Sequence, residues 1–294
     1  NVSHMGKNNN FSSLFEKPSK IFEFNLNENN IGNEYLKRIN TAENKFVCLL
    51  IRNDEYYKSI GITGSKLERM KFRNVDPKNY IDSIKYLIEK GFHVIRMGKN
   101  HQTNFPFKHE KFIDYALSKD RSDFLDIWLT AKCYFFISSS TGLGSLPLLF
   151  NKPYIFTNHS TVGRPQSWAP KSIHVPLIFK KGEKLLNISD LLSLNIIARL
   201  DGIYLKKNNV EVIENDSEDI LMSVKDMLFK IQNGFKVSNL NLVFWEKLRN
   251  EWNSKRMHDW SPSMNFDHFH KINYINTYIP HYYLKKYNKI FFDY

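Results

Sequence analysis

The chain has 294 residues, of which 42% are hydrophobic. A chain of this size and composition can bury one substantial core or two modest ones, which excludes an intrinsically disordered protein. Its 42 Lys and Arg residues outnumber its 30 Asp and Glu residues and give a formal charge of +12. This balance favours anionic partners, such as nucleic acid, anionic lipid head groups or nucleotide-linked substrates, although an AT-rich genome explains abundant Asn and Lys equally well.

The sequence lacks the usual signals for export and for membrane insertion. No uninterrupted apolar stretch approaches the roughly 18 residues that cross a bilayer, and the first residues lack the charged-then-apolar pattern of a secretory signal. Cys48 and Cys133 each lie in an apolar run typical of a buried strand, so neither a disulfide framework nor a zinc cluster is predicted. We therefore expect a cytoplasmic protein.

Strands and helices alternate along the middle of the chain. Residues 1–5 resemble a cloning remnant, the stretch to Asn30 resembles a linker, and a short leading helix is predicted near residues 31–39. Continuous apolar runs predict four buried strands, over residues 46–51, 92–97, 133–137 and 154–157. Cap and proline signals predict four helices. One begins at Asp76-Pro77 and ends near Gly91, one begins after Ser122, a short one ends near Phe150, and the last covers residues 217–231. Residues 52–76 are predicted to form a long polar loop.

This alternation predicts an α/β protein with a Rossmann-like, doubly wound parallel sheet and a C-terminal helical extension. Right-handed crossovers would place the loops that follow the strands along one edge. Those loops begin at Arg52, Gly98, Ser138 and Asn158. We divide the chain into residues 1–45 (tag remnant, linker and leading helix), residues 46–234 (Rossmann-like domain) and residues 235–294 (aromatic and basic extension).

The segment SSSTGLG, from Ser138 to Gly144, has the features of an anion site. It passes from a buried strand into a helix whose start Pro147 fixes near Gly144 or Ser145. Small residues let backbone N–H groups approach a ligand, the hydroxyls add hydrogen bonds, and the helix dipole favours an anion. The segment lacks the lysine of a Walker A loop and a full Gly-x-Gly-x-x-Gly, and an ordinary capped turn is the alternative interpretation.

Three further side chains are candidates for chemistry at the same edge. Arg52 could hold a diphosphate bidentately, or pair with Asp54 or Glu55. Asp123 stands in the first turn of a helix, which is also the routine place for a stabilising carboxylate. His159 could act as a general base for an acceptor hydroxyl, or form a hydrogen bond within its loop. No spacing suits a catalytic metal and no DxD-like pair is evident, so metal-independent transfer is expected.

The C-terminal tail interleaves tyrosine and phenylalanine with lysine. Its members are Tyr274, Tyr278, Tyr282, Tyr283, Tyr287, Phe291, Phe292 and Tyr294, beside Lys285, Lys286 and Lys289. Such a pattern can seat a protein at the inner face of an anionic membrane or stack single-stranded nucleic acid. More often it belongs to a helix that packs against its own domain.

Three segments together resemble a family of bacterial glycosyltransferases found in surface-polysaccharide loci: FVCLLIRNDEYY, NYIDSIKYLIEKGFHVIRMG and RSDFLDIWLTAKCYFFISSSTGLGSLPLLFNKPYIFTN. The resemblance covers about residues 31–231, with a weaker echo in YIPHYYLKKYNKIFF. The layout is also similar to the donor-binding half of GT-B-type sugar transferases. The strand that ends in Arg52 resembles the basic strand-end motif of fucosyltransferase-like enzymes, in which the arginine meets the donor diphosphate.

The resemblance implies transfer of a sugar from a nucleotide-sugar donor to a surface-glycan or lipid-linked acceptor, with no cofactor and no metal. The residues implied to hold the donor diphosphate are Arg52, Ser139, Ser140, Thr141 and Gly142. The residues implied to line the nucleotide and sugar pocket are Arg96, Gly98, Asp123 and Asn158. Residues before Phe46 leave no room for a second Rossmann-like domain, so we expect a truncated chain, or an acceptor site built by the C-terminal portion or another subunit. The alternative is a non-catalytic module that binds nucleotides or polyanions. We expect no nucleic-acid partner.

Overall fold

Seven short strands pair in parallel to form the central sheet. The structure is a computed structural model that describes residues 23–139, 141–159, 171–196, 201–254 and 277–292. The strands of this sheet are β1 (Phe46–Leu50), β2 (His93–Met97), β3 (Phe112–Ile113), β4 (Phe136–Ser138), β5 (Tyr154–His159), β6 (Ser172–Pro176) and β10 (Thr277–Tyr278). A small antiparallel sheet contains β7 (Ile178–Lys181), β8 (Lys184–Leu185) and β9 (Glu211–Ile213).

Helices connect and cover these strands. They are α1 (Leu26–Arg38), α2 (Glu55–Ser59), α3 (Gly64–Lys71), α4 (Ile81–Glu89), α5 (Asp123–Lys132), α6 (Leu146–Leu149), α7 (Ile188–Ser193), α8 (Gly202–Lys207), α9 (Ser217–Asn233), α10 (Asn239–Ser254), α11 (His281–Lys286) and α12 (Asn288–Phe291). Short 3-10 turns, Pro77–Tyr80 and Leu143–Ser145, lead into α4 and α6. Within the described ranges, no helix combines the length and the apolar character needed to cross a membrane.

Both faces of the sheet are covered, which explains the continuous apolar runs in its strands. Successive side chains of a strand point to opposite faces. Val47 and Leu49 of β1 therefore join the hydrophobic cluster that includes residues of α4 and α9. Phe46 and Cys48 join the other cluster, together with Trp128 of α5. Every residue of β1 and β2 is buried.

The strand order is β3-β2-β1-β4-β5-β6-β10. Its first six members repeat the 3-2-1-4-5-6 order of a doubly wound dinucleotide-binding sheet. The predicted α/β class and Rossmann-like parallel sheet are therefore confirmed. From β1 the chain proceeds outward through β2 and β3, then returns to β4 on the other side of β1. The switch point of the topology consequently lies between β1 and β4.

The four predicted strands are present, with shifted ends. Cys133 is not in a strand, because its N–H bonds to the carbonyl of Leu129 and makes it the C-cap of α5. β5 extends to His159, so the expectation that the strand ends at residue 157 is wrong. The leading helix begins at Leu26, earlier than expected, because Asn25 and Glu28 form a reciprocal capping box. The predicted helix start at Ser122 is confirmed by a hydrogen bond of 3.1 Å from Leu125 N to Ser122 Oγ.

The stretch predicted as one long polar loop, residues 52–76, contains α2 and α3. Neither helix contains a buried residue, so neither carries the strong apolar period that would reveal it in the sequence. The predicted cloning remnant and most of the predicted linker lie outside the described residues.

The C-terminal portion packs into the same core as the sheet. Phe244, Tyr283 and Phe291 are at most 2% exposed and belong to the cluster that contains Val47. Asn241 of α10 accepts from Ile279 N at 2.8 Å and donates to Ile279 O at 2.9 Å. Most aromatic residues of the described tail are therefore held inside the protein, as expected for a segment that packs against its own domain. Tyr274 and Tyr294 lie outside the described residues.

Candidate functional site

The loops after β1 and β4 meet at the switch point of the sheet. Ligands of open α/β sheets bind beyond the carboxyl ends of strands at such points. Ser139 N donates to Leu50 O at 3.1 Å, and Arg52 N donates to Ser139 Oγ at 2.8 Å. The serine hydroxyl therefore ties the two loops together just beyond the last strand pair. We call Arg52, Tyr57, Arg73, Ser139 and Thr141 the switch-point site.

The guanidinium of Arg52 is held by an aromatic ring that the sequence did not single out. Arg52 Nη1 donates to Tyr57 Oη at 2.7 Å, and its guanidinium carbon lies 4.3 Å from the centroid of the Tyr57 ring. The residue is only 2% exposed. Since Tyr57 belongs to α2, this unpredicted helix orients the arginine at the switch point.

A second arginine, Arg73, lies within electrostatic range of the first. Burial and then the positive charge of Arg52 lower the pKa of Arg73 to about 10, so it remains charged at neutral pH. Two like charges in a largely buried position repel each other, and both would attract an anion bound at the switch point. Sequence reasoning missed Arg73 because it follows α3, inside the stretch predicted as a loop.

The predicted anion turn is an internally hydrogen-bonded turn. Thr141 Oγ1 accepts from Gly144 N at 3.2 Å and lies 3.3 Å from Ser138 Oγ. A Cβ at Gly144 would lie 2.6 Å from Ser138 Oγ and 2.9 Å from Tyr154 Oη, so only glycine fits there. The helix that follows is a 3-10 turn and the four residues of α6, which supply little macrodipole.

The other glycine of this turn is not sterically required. A Cβ at Gly142 would meet no atom within 4 Å among the described residues. The backbone at Gly142 is therefore open to an incoming group, in contrast to Gly144. Ser140, which completes the predicted diphosphate set, lies outside the described residues.

Arg96 and Gly98, predicted to line a nucleotide pocket, fix a loop onto β2. Arg96 Nη1 donates to both carboxylate oxygens of Asp114, at 2.9 and 3.1 Å, and to Thr103 O at 3.1 Å. A Cβ at Gly98 would lie 2.3 Å from His101 Nε2. Burial, followed by the charge of Arg96, lowers the pKa of His101, which keeps the imidazole neutral. Arg96, Gly98 and His101 therefore contact other residues of the protein.

The carboxylates that could have paired with Arg52 have other partners. Asp54 accepts from Asn74 Nδ2 at 2.5 Å. Glu55 accepts from Gln102 N at 3.0 Å and from Asn53 Nδ2 at 3.0 Å. Asp123 is exposed, and its carboxylate contacts Lys99 and Arg121 at 3.2 and 2.5 Å. It occupies the N-terminal turn of α5, as a stabilising carboxylate would.

Asn158 and His159 stand at the end of β5. The Asn158 side chain accepts from Asn215 N at 2.8 Å, and the Asn215 side chain accepts from Asn158 N at 2.5 Å. His159 is 6% exposed, with its ring 4.6 Å from Phe156 and 5.0 Å from His174. The expectation of a loop histidine is wrong, since His159 is the last residue of the strand.

No protein-family model matches this chain, and no curated protein or solved structure is significantly similar to it.

The candidate site is thus a basic one. Within the described residues, no three His, Cys, Asp or Glu side chains converge as metal ligands. Arg52 and Ser139, which were predicted together, meet at the switch point, and Tyr57 bonds to Arg52. Thr141 contacts Ser138 at the end of β4, and Arg73 lies within electrostatic range of Arg52. Arg96, Gly98 and Asp123 lie along the neighbouring β2 side of the same edge, and Asn158 and His159 lie beyond β4 at the end of β5. The arrangement is suited to holding a compact, multiply charged anion.

Proposed function

We propose that the switch-point site binds the diphosphate of a nucleotide sugar, and that the protein is a glycosyltransferase with a GT-B-like donor domain. The observation that carries the proposal is the nearly buried Arg52, which bonds to Ser139 Oγ and to Tyr57 Oη at the switch point of a sheet with Rossmann order. The nearby charge of Arg73 supports it. The acceptor would be a surface glycan or a lipid-linked sugar. The segments that resemble bacterial glycosyltransferases, FVCLLIR and FISSSTG, meet at this point.

The two arginines would act chiefly when the sugar leaves. The acceptor hydroxyl would form the new bond to the anomeric carbon and give its proton to a base. The bond from that carbon to the diphosphate oxygen would break, and the diphosphate would leave with one more negative charge. A guanidinium fork can bind two phosphate oxygens at once, and a second nearby cation stabilises the added charge without a metal. Tyr57 would hold Arg52 in position, so that little reorganisation accompanies the reaction.

Calorimetry with the nucleoside diphosphates UDP, GDP, CDP and ADP tests the proposal. Arg52→Ala and Arg73→Ala should each weaken binding of the preferred diphosphate at least tenfold, because a charge-assisted hydrogen bond to an anion is worth about 1.5–3 kcal/mol. Arg38→Ala is the matched control, since Arg38 is exposed on α1 and pairs with Asp120. If no nucleoside diphosphate binds, or if both site variants bind as the native protein does, the proposed site is wrong.

A nucleotide-binding module without catalysis is the second candidate. It is favoured by the engagement of Asp54 and Glu55 with Asn74, Gln102 and Asn53, which leaves these carboxylates poorly placed to act as a base. Turnover separates the two candidates. A glycosyltransferase should release nucleoside diphosphate from its nucleotide sugar in the presence of a membrane extract that contains acceptors. Tight diphosphate binding with no release from any nucleotide sugar would favour the module.

A further inference from the structure

A basic surface flanks the switch-point site on the β1 side. It consists of residues 56–71, which carry α3 and all of α2 except its first residue, Glu55, and of residues 201–207, which carry α8. α3 and α8 pack closely: a Cβ at Gly202 would lie 2.5 Å from Glu68 O, and Arg69 forms an ion pair with Asp201. α2 directly precedes α3 along the chain. We call this surface the basic lip. Tyr56 begins it only four residues after Arg52.

The basic lip concentrates positive charge. Its cations are Lys58, Lys66, Arg69, Lys71, Lys206 and Lys207, and its carboxylates are Glu68 and Asp201. Arg69 and Lys71 pair with these carboxylates. The net charge of +4 is one third of the +12 of the whole chain. The four other lysines are all exposed.

The lip also exposes apolar side chains among its cations. Tyr56 is 39% exposed, Ile60 51% and Ile203 39%. Neither α2 nor α3 buries a single residue in the protein. Short helices that mix lysine with exposed aliphatic and aromatic side chains are typical of segments that lie at a membrane interface. Two of the three exposed apolar residues are isoleucine, which suits an acyl boundary better than the aromatic stacking on which nucleic-acid bases depend.

We propose that the basic lip docks the protein on an anionic membrane surface. The lysines would meet the phosphates of the head groups, and Tyr56, Ile60 and Ile203 would enter the head-group boundary. Docking in this way places the switch-point site next to the bilayer, within reach of a substrate carried by a lipid. The proposal does not depend on the proposed function, because vesicle binding can be measured without nucleotide or acceptor.

Sedimentation with phosphatidylcholine vesicles that contain 0 or about 30% phosphatidylglycerol tests the docking surface. The lip variant carries Lys58→Glu, Lys66→Glu, Lys206→Glu and Lys207→Glu. The control variant carries Lys37→Glu, Lys45→Glu, Lys90→Glu and Lys171→Glu, four exposed lysines at the opposite edge of the sheet. Both variants have the same net charge, and circular dichroism confirms that each is folded.

The native protein should bind the anionic vesicles and not the neutral ones. Each basic residue near such a surface strengthens binding roughly fivefold, so the lip variant should lose at least a hundredfold in partition coefficient and the control far less. Ile60→Ser should weaken binding several-fold with an unchanged salt dependence. Equal losses in the two charge variants would overturn the proposal, because net charge alone would explain them. Absence of vesicle binding at low salt, or tighter binding of single-stranded DNA through the lip, would overturn it too.

Discussion

Replacing Asn215 by alanine should destabilise the fold markedly, although the residue lies outside every regular element. Its amide group accepts from Asn158 N at 2.5 Å and donates to Pro176 O at 2.9 Å and to Tyr283 Oη at 3.3 Å. It thereby joins the ends of β5 and β6 to the C-terminal tail, at 1% exposure.

The expected loss in the free energy of unfolding comes from the hydrogen bonds that the alanine cannot form. The N–H of Asn158 would be buried without its acceptor, which costs about 1–3 kcal/mol. The lost bond to Tyr283 Oη adds about 1 kcal/mol, whereas the lost bond to Pro176 O adds little, because Pro176 O keeps a bond from Tyr283 Oη at 2.5 Å. We expect Asn215→Ala to lower the free energy of unfolding by about 2–4 kcal/mol in total.

Urea unfolding followed by circular dichroism measures this change. Asn233→Ala is the matched control, because the amide of Asn233 donates to Phe229 O on the exposed end of α9 and should change stability by less than about 0.5 kcal/mol. A loss below about 1 kcal/mol for Asn215→Ala would show that the three segments are held together by apolar packing alone.

Three further predictions concern single positions. Gly144→Ala should lower the melting temperature by several degrees in a thermal scan, whereas Gly142→Ala should leave it unchanged, because only the first Cβ meets neighbouring atoms within 3 Å; equal melting temperatures would contradict this. Lys286→Met should cost about 2–3 kcal/mol in urea unfolding, since it leaves the buried carboxylate of Asp219 without its cation 2.8 Å away; an unchanged midpoint would show that the pair is dispensable. Burial lowers the pKa of His174 to about 3, so the unfolded chain binds a proton that the folded protein does not, and stability should fall as the pH drops from about 6.5 towards 3. His174→Gln should make that fall shallower, and an unaltered pH profile would exclude this histidine as a cause.

The sheet was predictable because its strands are covered on both faces. The run FVCLL is apolar at every position and coincides with β1, as is typical of a short strand in a two-sided core. The run CYFFI predicted the next strand of the core only in part, because β4 begins at Phe136. The meeting of Arg52 with Ser139 was predictable for the same reason, since both follow strands of one parallel sheet.

The rest of the site could not be predicted from the sequence, because it depends on tertiary contacts. Tyr57 and Arg73 belong to a stretch whose helices bury nothing, so no apolar period marks them. The resemblance implied that Arg96 and Gly98 line a nucleotide pocket, but Asp114, just beyond β3, bonds to Arg96, and His101 lies against Gly98. His159 was assigned to a loop because the predicted strand ended at Thr157, yet β5 continues through Asn158 to His159.

The pairing of β10 with β6 has a consequence for synthesis of the chain. Thr277 pairs with Ser172, more than one hundred residues earlier in the sequence. At a translation rate of about 5–20 residues per second, β6 would lack its partner strand β10 for roughly 5–20 seconds after its own synthesis. During that interval the nascent chain displays an open parallel edge that can recruit a strand from another polypeptide. The growing protein should therefore be most prone to aggregation, and most dependent on chaperones, just before its last aromatic segment emerges from the ribosome.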